Sequence, residues 1–176
     1  MNNLQALKLT RIKTIFFVFA FTSLAVVTPM LAHYFGGVTA GRVFLPMHFF
    51  VLMAGLLFGW RAGLAVGVLT PLVSYFFTGM PLVAILPFIV IETATYGLFA
   101  GLLQERIKNI WVSLISALVI GRIFLALAIM LLPTKIIASQ YVLSAISAGW
   151  RGIVLQIILV PIVVVMLGKF LQNERA

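Results

Sequence analysis

Residues 82–132 read LVAILPFIVIETATYGLFAGLLQERIKNIWVSLISALVIGRIFLALAIMLL, two long apolar runs on either side of the polar hexapeptide QERIKN. The runs, 82–103 and 110–132, match the roughly 20 residues that a helix needs to cross the ~30 Å hydrocarbon core of a bilayer. Each run contains a single charged residue, Glu92 in the first and Arg122 in the second. Neither run alternates apolar and polar residues as a membrane β-barrel strand does. The stretch therefore predicts two transmembrane α-helices.

The rest of the chain has the same character. Its 176 residues are 64% hydrophobic and 9% charged, and the mean hydropathy is +1.24. Soluble domains are about 45–50% apolar and about 25% charged, so this composition indicates an integral membrane protein. We predict an all-α, multi-pass protein of the cell membrane, with one six-helix domain over residues 1–176. The six predicted spans are 14–35, 43–59, 62–78, 82–103, 110–132 and 142–168.

The net charge of +9 is distributed unevenly between the two ends of the predicted spans. The side that holds both termini contains Lys8, Arg11, Lys13, Arg61, Arg106, Lys108, Lys169 and Arg175. The other side contains Arg42 and Lys135. Because the cytoplasmic ends of spans are enriched in Lys and Arg, both termini are predicted to be cytoplasmic. The basic residues are interpreted as topology signals and contacts to membrane lipid, and no nucleic-acid partner is expected.

Three charged residues fall at similar depths inside predicted spans: Glu92, Arg122 and Arg151. A charge at mid-membrane costs about 2.5–3.5 kcal/mol on insertion scales, so such residues are usually paired, functional or both. His48 lies near the outer start of the second span, and Gln156 lies about one helical turn below Arg151. Together these residues predict a polar pocket that opens to the outside.

Two interpretations of Glu92 remain open at this point. It could form a purely structural ion pair with Arg122 or Arg151, or it could contact a ligand directly or through its partner. One carboxylate cannot neutralise two guanidinium groups, so at least one arginine is expected to face water, a lipid headgroup or an anionic ligand.

The missing residue types exclude several chemistries. The chain has no Cys and no Asp, which excludes disulfides, thiol nucleophiles and a protease built on paired aspartates. No P-loop sequence is present, so the chain cannot drive transport with its own ATPase site. We expect no metal, no cofactor and no catalytic residue.

Glycine pairs recur at four-residue spacing in the third and fourth spans. Gly63 precedes Gly67, and Gly97 precedes Gly101. Such spacing favours close helix packing. We interpret these glycines as packing the bundle internally; the alternative is a docking face for another membrane protein.

The segments 45–81 and 88–103 resemble the substrate-binding S component of energy-coupling factor (ECF) vitamin importers. The motifs that carry the resemblance are Pro46-Met47-His48, Ala54-Gly55-x-x-x-Gly59, Gly63, Gly67, Thr70-Pro71, Thr78-Gly79-Met80-Pro81 and Glu92-x-x-x-Tyr96-Gly97. They cover the second to fourth spans, about a third of the chain.

The resemblance implies a binding subunit without catalysis of its own. Such proteins bind a water-soluble vitamin or precursor from outside and dock onto a transmembrane coupling protein driven by two cytoplasmic ATPase subunits. The pocket is expected in the outer halves of the fourth to sixth spans, capped by the loop between the first two spans. Here that cap corresponds to residues 36–44, with the glycine-rich loop itself at 36–42. Pantothenate, biotin, a cobalamin precursor and a queuosine precursor all fit this description.

Many members of that family carry Ala-x-x-x-Ala on the first span for docking to the coupling protein. This chain departs from the motif, because Ala20 is followed by Leu24. We expect Thr22, Ser23 and Ala25 to provide a small docking face instead.

The excess of positive charge favours a substrate with an anionic or carboxylate group, which Arg binds bidentately. We expect Arg122 or Arg151 to hold this group, Glu92 to orient the other arginine, and His48 to donate a hydrogen bond. Aromatic rings that could stack on the substrate are Tyr75, Phe76, Tyr96 and Tyr141.

Two other functions compete with a binding subunit. An intramembrane lipid-modifying enzyme could use Glu92 and His48 as acid and base, and would turn over lipid without an ATPase partner. A structural or assembly protein could use its buried charges only to set helix register, and would bind no small molecule.

Overall fold

The computed structural model describes residues 6–7, 10–132 and 138–173, and it contains only helices within these ranges. In chain order they are α1 (Arg11–Phe44), α2 (Pro46–Phe58), α3 (Trp60–Thr78), α4 (Leu86–Ile107), α5 (Ile110–Leu131) and α6 (Ala138–Asn173). A helix satisfies its own backbone hydrogen bonds, as an apolar segment in a bilayer must. The helical class predicted from composition is confirmed.

The first helix is longer than predicted. A loop was expected at 36–42, whereas α1 continues to Phe44 across a break at Gly37. Gly37 has φ 66° and ψ −176°, a backbone conformation that is essentially restricted to glycine. The prediction of a loop over 36–42 is therefore wrong, because a single glycine is enough to redirect the helix.

The connections between α2 and α3 and between α4 and α5 are short. Gly59, with φ 85°, is the single residue between α2 and α3. Of the polar stretch 104–109 between two predicted spans, two residues form the connection, because α4 continues to Ile107. Lys108 ends α4 with φ 57°, and the Asn109 side chain accepts hydrogen bonds from two backbone N–H groups in the first turn of α5.

Glycines bring α2, α3 and α4 into backbone contact. Gly63 in α3 lies against the carbonyl group of Gly97 in α4, and Gly55 in α2 faces the same carbonyl. Gly101 lies against the first turn of α3. A side chain at any of these positions would overlap a neighbouring backbone. These contacts confirm that the glycine pairs pack the bundle internally.

Within the described ranges, five helical segments are long and apolar enough to cross a membrane, and these are Arg11–Ala32, α3, α4, α5 and Gln140–Asn173. The remaining helix, α2, has 13 residues, which corresponds to a length of about 20 Å against the ~30 Å hydrocarbon core. Large apolar side chains on the outer faces, such as Phe19 and Ile158, are exposed as lipid-facing residues would be. The count of six spans and the cytoplasmic position of both termini stay predictions.

The helices pack so that α4 contacts α2, α3 and α5, while α6 contacts α1, α2 and α5. This arrangement places α4 beside the helices that carry His48 and Arg122. It places the predicted site at the contacts between α2, α4 and α5.

Candidate functional site

Two residues of the site come from α4. Glu92 and Tyr96 are 2% and 1% exposed, and the Tyr96 hydroxyl donates a hydrogen bond of 2.9 Å to Glu92 Oε1. Residues four apart share one face of a helix. This contact therefore follows from the local spacing Glu-x-x-x-Tyr.

Arg122 on α5 completes an ion pair with Glu92. Its Nη1 atom lies 2.7 Å from Glu92 Oε1, and its side chain is 15% exposed. Gly121 allows α5 to approach α4 closely, because a Cβ atom there would overlap the Tyr96 ring. Sequence analysis did not single out Gly121, although a glycine directly before a membrane-embedded arginine was a signal that could have drawn attention to it.

His48 approaches the same carboxylate from α2. Its Nε2 atom lies 3.8 Å from Glu92 Oε2, and its ring meets Tyr96 edge-to-face with centroids 5.4 Å apart. Neither ring nitrogen has a hydrogen-bond partner among the described residues, although His48 is only 7% exposed. His48 is thus held by packing and by the electrostatic field of Glu92.

Gln156 on α6 reaches the start of α2 instead of the ion pair. Its side-chain Nε2 donates a hydrogen bond of 3.2 Å to the carbonyl oxygen of Leu45. Leu45 has φ 47° and ψ 47°, a left-handed conformation that is uncommon outside glycine. Sequence analysis missed Leu45. The signal that could have found it is its position directly before Pro46. The hydrogen bond from Gln156 to Leu45 holds the start of α2, the helix that carries His48.

Arg151 is not brought to Glu92. Its side chain is exposed on α6, and its guanidinium lies 5.1 Å from the centroid of the Trp150 ring. Within the described part of the chain, Arg151 forms no ion pair. Of the two arginines predicted to converge on Glu92, only Arg122 does so.

The remaining aromatic candidates are on α6 and α3. Tyr141 packs against an apolar cluster that includes Phe88 and Leu125. Tyr75 and Phe76 are 37% and 81% exposed on α3. Among the aromatic candidates, Tyr96 is the ring that touches both Glu92 and His48.

The three residues expected to dock a coupling protein do not share one exposed face. Thr22 and Ala25 are 6% and 0% exposed, whereas Ser23 is exposed. The rotation of α1 against its neighbours turns the first two inward.

The cluster of His48, Glu92, Tyr96 and Arg122 is a compact polar group inside an apolar bundle. The formal charges of Glu92 and Arg122 cancel, which reduces the cost of burying either. In the described ranges, no three His, Cys, Asp or Glu side chains group together as a metal site would need. The cluster can hold the Arg122 guanidinium in a fixed orientation. Among the described residues, Arg151 is an arginine without an ion pair, and it lies outside the cluster.

One comparison with known proteins gives a match. A family model described as the substrate-specific component of ECF transporters matches residues 12–168. No curated protein and no solved structure matches the chain. The family match includes at least part of each of the six helices and every residue of the polar cluster.

Proposed function

This chain belongs to the family of substrate-specific components of ECF transporters, and we propose on this premise that Arg151 binds an anionic group of its substrate. The family makes the chain a membrane-embedded, substrate-binding subunit of an importer. Such subunits bind small molecules and work with a module of a coupling protein and ATPases. The family is one of transport subunits and not of enzymes.

The observation that supports this proposal is the 2.7 Å ion pair between Glu92 and Arg122. Since Glu92 neutralises Arg122, it is Arg151 that supplies the excess positive charge. Its guanidinium is exposed and stacks on Trp150, which leaves its N–H groups able to bind a carboxylate bidentately. Arg122 then acts as the arginine that Glu92 orients.

We infer that the substrate is a water-soluble vitamin or vitamin precursor with a carboxylate or other anionic group. Tyr141 and Tyr96 are proposed to line the same pocket, and His48 to donate a hydrogen bond. The helical segment after Gly37 is proposed to cover the pocket, in place of the loop expected there. For docking to the coupling protein, Ser23 is the exposed member of the small face proposed on α1.

The direct test is to purify the protein in mild detergent and identify its bound small molecule by native mass spectrometry, with a thermal-shift panel of vitamins in parallel. Affinity for the identified ligand is then measured for Arg151→Ala and Arg151→Lys. A hydrogen bond to a charged group contributes about 1.5–3 kcal/mol, so Arg151→Ala should weaken binding roughly 10- to 100-fold. Arg151→Lys should bind with intermediate affinity, because it keeps the charge but loses the bidentate geometry.

Lys169→Ala is the matched control, because Lys169 is an exposed base on the same helix. It should leave affinity unchanged. Equal affinity of Arg151→Ala and the parent protein would contradict the assignment of the anion site. A protein that holds no small molecule, and that no vitamin stabilises, would contradict the vitamin proposal itself.

A further inference from the structure

A cavity of about 650 Å³ opens at the end of the bundle where α1 and α3 begin and α2 and α4 end. It lies away from the Glu92 cluster and shares no lining residue with it. Its lining includes the bases Arg11, Arg61 and Lys108 and the acid Glu105. Its large apolar side chains include Leu7 and Phe58. The cavity thus combines a cationic part with an apolar part.

The positive charge of the cationic part is only partly neutralised by acidic residues. Arg11, Arg61 and Lys108 form no ion pair within the described ranges, and all three are exposed. The carboxylate of Glu105 is engaged with the backbone, since its Oε1 accepts a hydrogen bond of 3.1 Å from the Trp60 N–H. Three bases against one acid leave the lining with an excess of positive charge.

Arg61 is held in a defined position at this cavity. Its guanidinium lies 5.2 Å from the centroid of the Trp60 ring, a cation–π contact that orients the planar group without using its N–H donors. Arg61 can therefore present a donor fork to a phosphate. The Leu7 backbone N–H donates to the Leu57 carbonyl oxygen at 2.7 Å, which anchors the apolar side of the cavity on α2.

The location of the cavity indicates which anion it would bind. It lies at helix ends beside the one-residue turn at Gly59 and the short turn after Lys108, the level at which lipid headgroups surround a membrane protein. Basic residues predominate on this side of the chain, which predicts the cytoplasmic leaflet with its anionic lipids. A headgroup phosphate fits the bases, and the first methylenes of the acyl chains fit Leu7 and Phe58.

We propose that this cavity binds the phosphate of an anionic phospholipid, with Arg61 and Lys108 as its main contacts. The site is independent of the substrate site and of the identity of the substrate. A lipid held there would contact α1, α3 and α4 together at the end of the bundle.

The test uses the full chain in detergent, with phosphatidylglycerol or phosphatidylcholine added at equal concentration. Native mass spectrometry measures lipid retention, and thermal unfolding measures stabilisation. Phosphatidylglycerol should be retained and stabilising, and phosphatidylcholine much less so. One basic residue near an anionic headgroup contributes about 1 kcal/mol, so Arg61→Gln and Lys108→Gln should each weaken phosphatidylglycerol binding roughly fivefold.

Arg106→Gln is the control, because Arg106 is an exposed base close to Lys108 in sequence that does not line the cavity. It should bind phosphatidylglycerol like the parent. If Arg106→Gln and Arg61→Gln lose phosphatidylglycerol binding equally, the proposal is overturned. The lipid would then be attracted by the overall positive charge of this end of the bundle and not by the cavity. Inorganic phosphate that stabilises as strongly as the lipid would also overturn it, in favour of a free-anion site. If Arg61→Gln lowers stability without lipid, Lys108→Gln alone decides the outcome.

Discussion

At the scale of single residues, the interior of this protein depends on how the charge of Glu92 is compensated. The carboxylate is 2% exposed and has Arg122, Tyr96 and His48 around it. A buried charge is tolerated when its partner and its hydrogen bonds are in place, and it is costly when one partner is removed. The pair therefore constrains the positions of α4 and α5 relative to each other.

Replacing Arg122 with Ala should lower the free energy of unfolding by about 3–5 kcal/mol, because Glu92 would remain buried without its cation. Thermal unfolding in detergent measures the change. The double variant Glu92→Leu/Arg122→Met should be less destabilised than Arg122→Ala, since it leaves no uncompensated charge.

Arg151→Ala is expected to behave differently from Arg122→Ala. Arg151 is exposed and unpaired within the described ranges, so its removal should change the melting temperature little while weakening substrate binding. A melting temperature of Arg122→Ala equal to that of the parent would show that the ion pair does not contribute to stability.

At the scale of elements, glycines set the distances between helices. The backbone of α3 at Gly63 lies directly against that of α4 at Gly97, and Gly121 makes room for Tyr96 between α4 and α5. Close approach of this kind increases van der Waals contact where lipid provides no hydrophobic driving force. The same approach leaves no space for even one methyl group.

Gly97→Ala should therefore destabilise the bundle by about 1–3 kcal/mol or more, because the new Cβ would meet the rigid backbone of Gly63. The melting temperature in detergent is the measurement. Ala148→Leu adds apolar bulk at an exposed position of α6 and should have little effect. If both variants unfold at the parent temperature, the close packing of α3 on α4 is not as described.

Gln156 shows how one element positions another. Its hydrogen bond to the Leu45 carbonyl links the middle of α6 to the residue before α2. Leu45 is held in a left-handed conformation there, and His48 follows within the first turn. The orientation of His48 toward Glu92 thus depends on a helix that does not contact Glu92.

At the scale of the whole molecule, the predicted orientation places both termini and the α2–α3 turn in the cytoplasm. The chain contains no Cys, so single introduced thiols report their location without background. A membrane-impermeant thiol reagent applied to intact cells should label Gly36→Cys and Leu82→Cys. It should not label Arg61→Cys or Lys169→Cys until the membrane is opened.

All four positions are exposed in the structure. Labelling of Arg61→Cys from outside would show that α2 does not cross, and the six-span prediction would then be wrong. Labelling of Lys169→Cys from outside would contradict the cytoplasmic C-terminus.

The sequence by itself determined the properties that depend on composition and on local spacing. Hydropathy is a sum over residues, so it predicted the membrane class and the long apolar helices without any knowledge of packing. The contact between Glu92 and Tyr96 was also local, because residues four apart on a helix lie on one face. The glycine pairs predicted close packing for the same reason.

Only the tertiary structure decided which arginine pairs with Glu92. Arg122 and Arg151 have similar predicted depths, and depth does not specify how α5 and α6 are rotated about their axes. The rotation of α1 about its own axis likewise buries Thr22 and Ala25 and leaves Ser23 exposed. Within the expected loop, the non-helical torsions are confined to Gly37, and the chain after it is helical up to Phe44. Helix rotation is set by contacts between distant parts of the chain, and residue spacing alone does not encode it.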